Sequence, residues 1–412
     1  MTGSEKRLEH ARLIDGTGKN PLDDSTVIVD ATGKITYCGP AERAPETPDV
    51  PTMDLTGMTI LPGFIDAHVH FLFGPKQSGN SQDRALTTFQ VAERMRQTLE
   101  AGITSVRDLG GLSVGYSSAQ QSGLIQAPRV LTAGRIIGHT GGHCDATGPD
   151  GHNATGHFTI LADDEQSARV AVRTVLREGA DVIKICATGG MGSPHDDPDD
   201  EDLSEAEIRA VVDEARRHRG KKVAAHAQGT AGIINALRGG VASIEHGYGI
   251  TEEACDLALA ARTYLVPTLA TAFNPMDPSK VSPLHFEKKS RWAERTRENI
   301  ALAISRGVAI AMGTDAGVSP HAANLMELSH LVELGMTELQ AITAGTLNAA
   351  RLLGIDDAVG TVEPGKLADL VITDADPLAD IAALADPEHV RMVLQSGVAR
   401  RDTLPIRTPV TA

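Results

Sequence analysis

Between residues 59 and 356 the chain alternates short β-branched runs with helical stretches, and that rhythm restricts the fold more than any other feature. The runs are FIDAHVH, TSVRDL, RVLTAG, VIKICA, KVAAHA, SIEHG, YLVPTL and AIAMGTD. Helical patterns at 83–100, 163–179, 204–219, 229–239, 251–261 and 287–306 separate most of them, and further helix is expected at about 323–353. Strands alternating with helices build a parallel sheet. Eight such strands fit a closed TIM-like (β/α)8 barrel, for which ~250 residues or more is usual. An open doubly wound sheet is the rival. It usually carries a GxGxxG turn opening a helix, and none is present here.

The ends of the chain have another rhythm. STVIVDATGKITYCG alternates, turns near Thr32-Gly33 and alternates again, as a hairpin does. GTVEPGKLADLVITDAD and VRMVLQSGVARRD behave similarly near the C-terminus. Each end alone has little core. The expected fold class is therefore α/β, a barrel at 59–356 joined to a small β-sandwich built from 1–58 plus 357–412.

Composition removes several functions. The formal charge is −16 and aromatics are 3% of the chain. Nucleic acid needs clustered Lys and Arg for phosphates and aromatic platforms for bases, so it is not an expected partner. No run of 18 or more apolar residues exists, and MTGSEKRLEHARLIDG has no apolar signal core, so neither a membrane span nor an export signal is expected. Cys38, Cys144, Cys186 and Cys255 lie far apart without a CxxC spacing and read as reduced thiols of a cytoplasmic protein.

The polar residues of the strands collect at one end. FIDAHVH ends in His68 and His70, VIKICA carries Lys184, KVAAHA ends in His226, SIEHG in His246 and AIAMGTD in Asp315. Side chains in a strand alternate faces, so Asp66, His68 and His70 share one face, as do Val182, Lys184 and Cys186. A lone buried histidine is usually a satisfied core residue, a lone buried lysine is costly, and an Asp in GTDAG can be a mere turn former. Six such groups at the C-terminal strand ends, where barrel enzymes keep their chemistry, are harder to explain structurally.

Two loops join that face. Residues 138–157 hold His139, His143, His152 and His157 among glycines. Residues 188–203 hold His195 and the acidic run Asp196–Asp202. The acidic run reads as a solvated surface that leads into an S-x-x-E capping box at Ser204 and Glu207. Facing the site instead, it would favour a cationic substrate. His321 follows Asp315 and is a further pocket candidate.

GFIDAHVHF, VIKICATGG, VAAHAQG, SIEHGYG and MGTDAG, in this order, resemble the metal-dependent amidohydrolase superfamily over nearly the whole chain. HTGGH, SPHDDPDD and IEHGYG are similar to its prolidase-like branch, which includes Xaa-Pro dipeptidases and hydrolases of ochratoxin and phenylureas. The resemblance implies two divalent ions, zinc first, held by His68, His70 and Asp315 and by His226 and His246. It implies a CO2-derived carbamate on Lys184 bridging them, with Asp66 as a structural neighbour. A metal-bridging hydroxide would attack the carbonyl of a dipeptide or N-acyl amino acid. Asp315 would carry the proton, and His139, His143 and Tyr248 would meet the substrate. Relatives often form homo-oligomers. Deaminases of the superfamily generally place His-x-x-Glu after strand five, where this chain has HAQGTAG. A silent metal-binding scaffold is the non-enzymatic alternative, and scaffolds of that kind lose ligands.

Overall fold

A computed structural model describes residues 5–73, 84–145, 147, 158–193, 195–275, 279 and 282–404. Both chain ends enter one eight-stranded sheet. Lys6–Leu13 pairs antiparallel with Leu22–Val29, which pairs with Ile35–Pro40. The expected hairpin turns at Asp30, whose carboxylate accepts from the backbone of Thr32 and Lys34. From the other end, Leu370–Thr373 pairs antiparallel with Thr59–Pro62, and Val390–Gln395 with Val398–Asp402. Leu8, Val27, Ile60, Leu370 and Leu394 form the separate core of this sheet. Thr59–Pro62 therefore belongs to the terminal sheet and leads, past Gly63, straight into the first parallel strand. Gly63 is required there, because a Cβ would lie 2.3 Å from the Thr104 hydroxyl.

The remaining strands are parallel. Phe64–Val69, Ile103–Asp108 and Arg129–Thr132 form one sheet. Thr159–Leu161, Ile136–Gly138, Ile183–Cys186, Val223–Ala227, Ser243–His246 and Tyr264–Val266 form another. The third expected strand is thus broken at Gly134, which has φ +62. The eighth is irregular rather than a full strand, yet its backbone is paired on both sides. Ala311 N donates to Leu265 O at 3.0 Å and Ala67 N to Met312 O at 2.9 Å. His70 N donates to Ala316 O at 2.7 Å. Gly317 (φ +117) and Asp315 (φ 55) interrupt the regular pleat of this segment.

Helices fall between the strands near the expected places: Arg84–Glu100, Glu165–Arg177, Glu205–Arg217, Thr230–Gly239, Glu252–Ala261 and Pro283–Ser305. The capping box at Ser204 and Glu207 is present. The helix Val114–Gln121 had no sequence expectation. The helices expected at 323–353 are Met326–Glu333, Glu338–Thr343, a π turn at 344–348 and Ala349–Leu353. Thr337 caps the second piece, so Gly335 and Thr337 set the break. The apolar faces of these helices pack on Ile183, Ile185, Ala225, Ile244 and Met312 in the main core. Among the described residues no helix is long and apolar enough to cross a membrane.

Candidate metal centre

The strand ends deliver what their pattern promises. His68, His70, Lys184, His226, His246 and Asp315 all line one cavity of about 970 Å³. His68 lies 5.3 Å from His70 and 5.0 Å from His246, centroid to centroid. His226 and His246 are 4.6 Å apart. Asp315 Oδ1 lies 3.3 Å from His70 Nε2 and 3.7 Å from His68 Nε2.

Simple alternation does not place all of these groups. Ile244 packs into the main core, so Glu245 points the opposite way, to His68. His246 would follow Ile244. Its left-handed backbone, φ 73, turns it into the cavity instead. Asp315 and Thr268 have φ 55 and 50, also unfavourable for residues with a Cβ. Such strain concentrates where a fold aims functional side chains.

Burial sets the charge states. It drives the pKa values of His68, His226 and His246 well below the usual range, and neighbouring cations push the same way. These imidazoles are neutral, with a ring nitrogen available as a donor. Burial opposes charge on His70 too, but Asp315 overcomes it and raises that pKa. Burial lowers the pKa of Lys184, which is 3% exposed. An ammonium there would face histidines in a water-poor site.

An outer layer fixes the ring orientations. His68 Nδ1 lies 2.8 Å from Glu245 Oε2. The other oxygen of Glu245 accepts from Arg107 at 2.8 Å and from the Ser243 hydroxyl. His246 Nδ1 is 2.7 Å from Thr268 Oγ1, which is 2.9 Å from the Tyr248 hydroxyl. Glu327 accepts from Leu269 N and Ala270 N, just after Thr268. Asp66 accepts from the Thr314 hydroxyl at 2.6 Å and from Asn324 at 2.7 Å. Burial raises its pKa to about 6 against those bonds. Sequence reasoning singled out Asp66 but missed Glu245, Arg107 and Thr268. Charged residues inside the runs SIEHG and TSVRDL were the available signals.

The substrate-side candidates divide. Tyr248 is buried and lines the cavity. His143 also lines it, stacks on His226 at 4.3 Å and lies 2.9 Å from Asp196 Oδ2. His139 is not among the lining residues; its Nε2 faces Asp202 at 3.3 Å and its Nδ1 faces Thr140 O. The ring braces its own loop. His195 reaches the rim. His321 stacks on Phe71 and pairs with Phe73 O, away from the cavity. His152 and His157 lie outside the described residues. Cys144 and Cys186 are free thiols on the cavity wall.

The acidic loop is solvated in part: Asp199, Asp200 and Glu201 are exposed, while Asp196 is not. Asp196 is 8% exposed and lies 3.9 Å from Lys288 Nζ as well as beside His143. Asp197 pairs with Arg291 at 2.5 Å and Asp199 with Arg295 at 3.6 Å. Asp202 accepts from His143 N. Asp196, Asp197 and Asp199 thus face the protein's own cations, and Asp202 a backbone N–H.

The donor set fits a divalent ion. Donor atoms of His68, His246 and Asp315 all lie within 4.8 Å of one another. This trio crosses the two groups expected from sequence, which kept His246 apart from His68 and Asp315. Among the described residues the buried Nδ1 of His70 has no hydrogen-bond partner. Neutral imidazoles and a carboxylate suit zinc and similar ions.

Comparison with known proteins agrees. The Amidohydrolase family model matches residues 59–400. Ochratoxinase of Aspergillus niger is 31% identical over 412 aligned residues, covering 93% of this chain and 84% of that protein. The crystal structure of a Xaa-Pro dipeptidase with bound methionine in the active site has a TM-score of 0.89 at 31% identity, covering 96% of this chain and 99% of that one. A prolidase complexed with N-methylphosphonate-L-proline gives 0.87 at 30%, with 96% and 99% covered. The chain belongs to the amidohydrolase family, in its prolidase-like branch, and is a hydrolase of amide bonds.

Proposed function

We propose that this protein is a binuclear metallohydrolase cleaving the amide bond of a dipeptide, with Xaa-Pro the leading class. The carrying observation is the convergence of four imidazoles, Lys184 and Asp315 on one cavity. The scaffold in this reading is the expected (β/α)8 barrel with a β-sandwich from both chain ends, Thr59–Pro62 going to the sandwich. The backbone pairing of segment 309–316 with strands on both sides supports it. A silent scaffold fits poorly with a complete donor set.

His68, His70, His226, His246 and Asp315 would hold the ions. A neutral Lys184 amine would add to the carbon of CO2 and lose a proton, giving a carbamate anion able to bridge them. Two divalent ions in such a site activate water near neutral pH and polarise the scissile carbonyl. Asp315 Oδ1 accepts the proton released by the attacking water and returns it to the leaving nitrogen. The Tyr248 hydroxyl, held by Thr268, donates toward the carbonyl oxygen as charge develops there.

A second reading is an amidase for aromatic N-acyl amino acids or related xenobiotics. Phe73 and Phe158, 5.1 Å apart, line the cavity and favour it, as does the likeness to ochratoxinase. A library of dipeptides and N-acyl amino acids, offered to zinc-loaded protein, tests both. Cleavage concentrated on Xaa-Pro supports the first, and cleavage concentrated on aromatic acyl amides supports the second. No hydrolysis of any member by protein carrying two ions would overturn both.

A further inference from the structure

The helix Pro283–Ser305 carries Lys288, Lys289, Arg291, Arg295 and Arg297. Most have protein partners. Lys288 lies against Asp196, Arg291 against Asp197 and Arg295 against Asp199. Arg297 lies over the Phe273 ring. Lys289 differs. It is half-buried and lines the cavity, yet among the described residues no carboxylate lies within ion-pair distance of it. Its ammonium donates to the backbone carbonyl of Asn274 at 2.6 Å, which orients the group without neutralising it.

His285 lies four residues earlier, on the same helix face, and also lines the cavity. The lining carboxylates are engaged elsewhere. Asp145 accepts from Gly141 N and Thr147 N, and Asp315 faces His70. A partly desolvated cation with three donors and one backbone acceptor keeps capacity for an anion. With a chain charge of −16, long-range steering does not favour an anionic ligand, so its recognition has to be local.

We propose that Lys289, with His285 beside it, anchors a free carboxylate of the substrate. The proposal rests on the amide-hydrolase reading and narrows it to dipeptides and N-acyl amino acids with an unblocked C-terminus. The apolar residues Phe73, Ile136, Phe158 and Met191 of the same cavity would take the remainder of the molecule. The acidic loop has a matching role. By occupying Lys288, Arg291 and Arg295, it leaves Lys289 as the cation that reads the ligand's charge.

The test compares acid and carboxamide forms of one cleaved substrate in wild type, Lys289→Met and Lys289→Arg. Wild type should favour the acid in kcat/KM. Lys289→Met should shrink that ratio by about tenfold, carried mainly by KM, the loss expected for one charge-assisted bond at a half-exposed site. Lys289→Arg should restore much of it. A ratio unchanged in Lys289→Met places the carboxylate elsewhere and overturns the proposal.

Calorimetric titration with N-acetylphenylalanine and its carboxamide reads the same preference without turnover. If no amide is cleaved but the acid preference appears and falls in Lys289→Met, the hydrolase reading fails while the anchor stands. If amides are cleaved but neither method shows an effect of Lys289→Met, the anchor fails while the hydrolase reading stands. Thermal unfolding of Lys289→Met near the wild-type midpoint separates a lost anchor from a lost fold.

Discussion

The two walls of the cavity are held in different ways. The inner wall consists of side chains at parallel strand ends, and three of its imidazoles are tied to buried partners: His68 to Glu245, His246 to Thr268, His226 to Gly189 O at 3.1 Å. The outer wall consists of a loop and a helix joined by ion pairs, several of them exposed, among them Asp197–Arg291 and Asp199–Arg295. A hydrogen bond to a buried imidazole has no water to replace it, whereas an exposed ion pair is worth about 0–1 kcal/mol. The inner wall is therefore built to fix geometry and the outer wall to tolerate change. Chemistry common to relatives belongs on the first, and discrimination between substrates on the second.

The sharpest way to break this contrast is at Lys184. Lys184→Ala should lower bound metal, read by elemental analysis, from about two ions per chain. Activity should drop by more than about 100-fold, beyond the usual loss for an outer partner of a ligand. Retention of both metal and activity removes the carbamate from the account. Glu245→Gln comes next. It keeps the shape but leaves the Arg107 guanidinium buried without its carboxylate. Loss of one member of a buried pair costs about 3–5 kcal/mol. Metal affinity, measured by chelator competition, should fall about 10–100-fold as His68 loses its orienting partner. A variant with wild-type unfolding and metal affinity would show that the inner wall is no more demanding than the outer.

The same contrast explains what was legible in the sequence. His68 and His70 were readable because alternation along FIDAHVH is a local property of a strand. Lys184 was readable for the same reason, with Ile183 and Ile185 on the opposite face in the main core. The capping box at Ser204 needed only four consecutive residues. Glu245 was not readable, because its partners Arg107 and His68 are brought to it by other strands. The left-handed turns at His246 and Thr268 were invisible because no local pattern marks them, and a β-branched Thr strongly disfavours one. The burial of Asp196 was not readable, because the Lys288 that lies against it comes about ninety positions later.

Thr268 tests whether one hydroxyl can serve both a metal-site ring and a substrate-side phenol. It touches His246 and Tyr248 together. Thr268→Val should lower kcat about tenfold, the lower end for losing an outer partner of a metal-site ring. KM should change little, since the residue does not line the cavity. Thr268→Ser, which keeps the hydroxyl, should recover most of the rate. A Ser variant as impaired as Val would assign the effect to the strained backbone at φ 50 instead.

The smallest effect is expected at Asp196, and its pH dependence identifies the cause. Burial opposes charge on both Asp196 and His143, but their contact prevails, lowering the Asp196 pKa and raising that of His143. A lowered carboxylate pKa contributes stability above its unfolded value and loses it as pH falls. A raised histidine pKa contributes stability below its unfolded value and loses it as pH rises through the folded one. The pair is thus fully effective only between about pH 4 and pH 6.5, the unfolded values of the two groups. Asp196→Asn should cost about 1–2 kcal/mol in that window and less on either side, read as the difference in unfolding free energy from wild type. A difference independent of pH would mean that Asp196 acts through Gly190 N and Lys288, as a neutral strut of the outer wall, rather than through the charge it shares with His143.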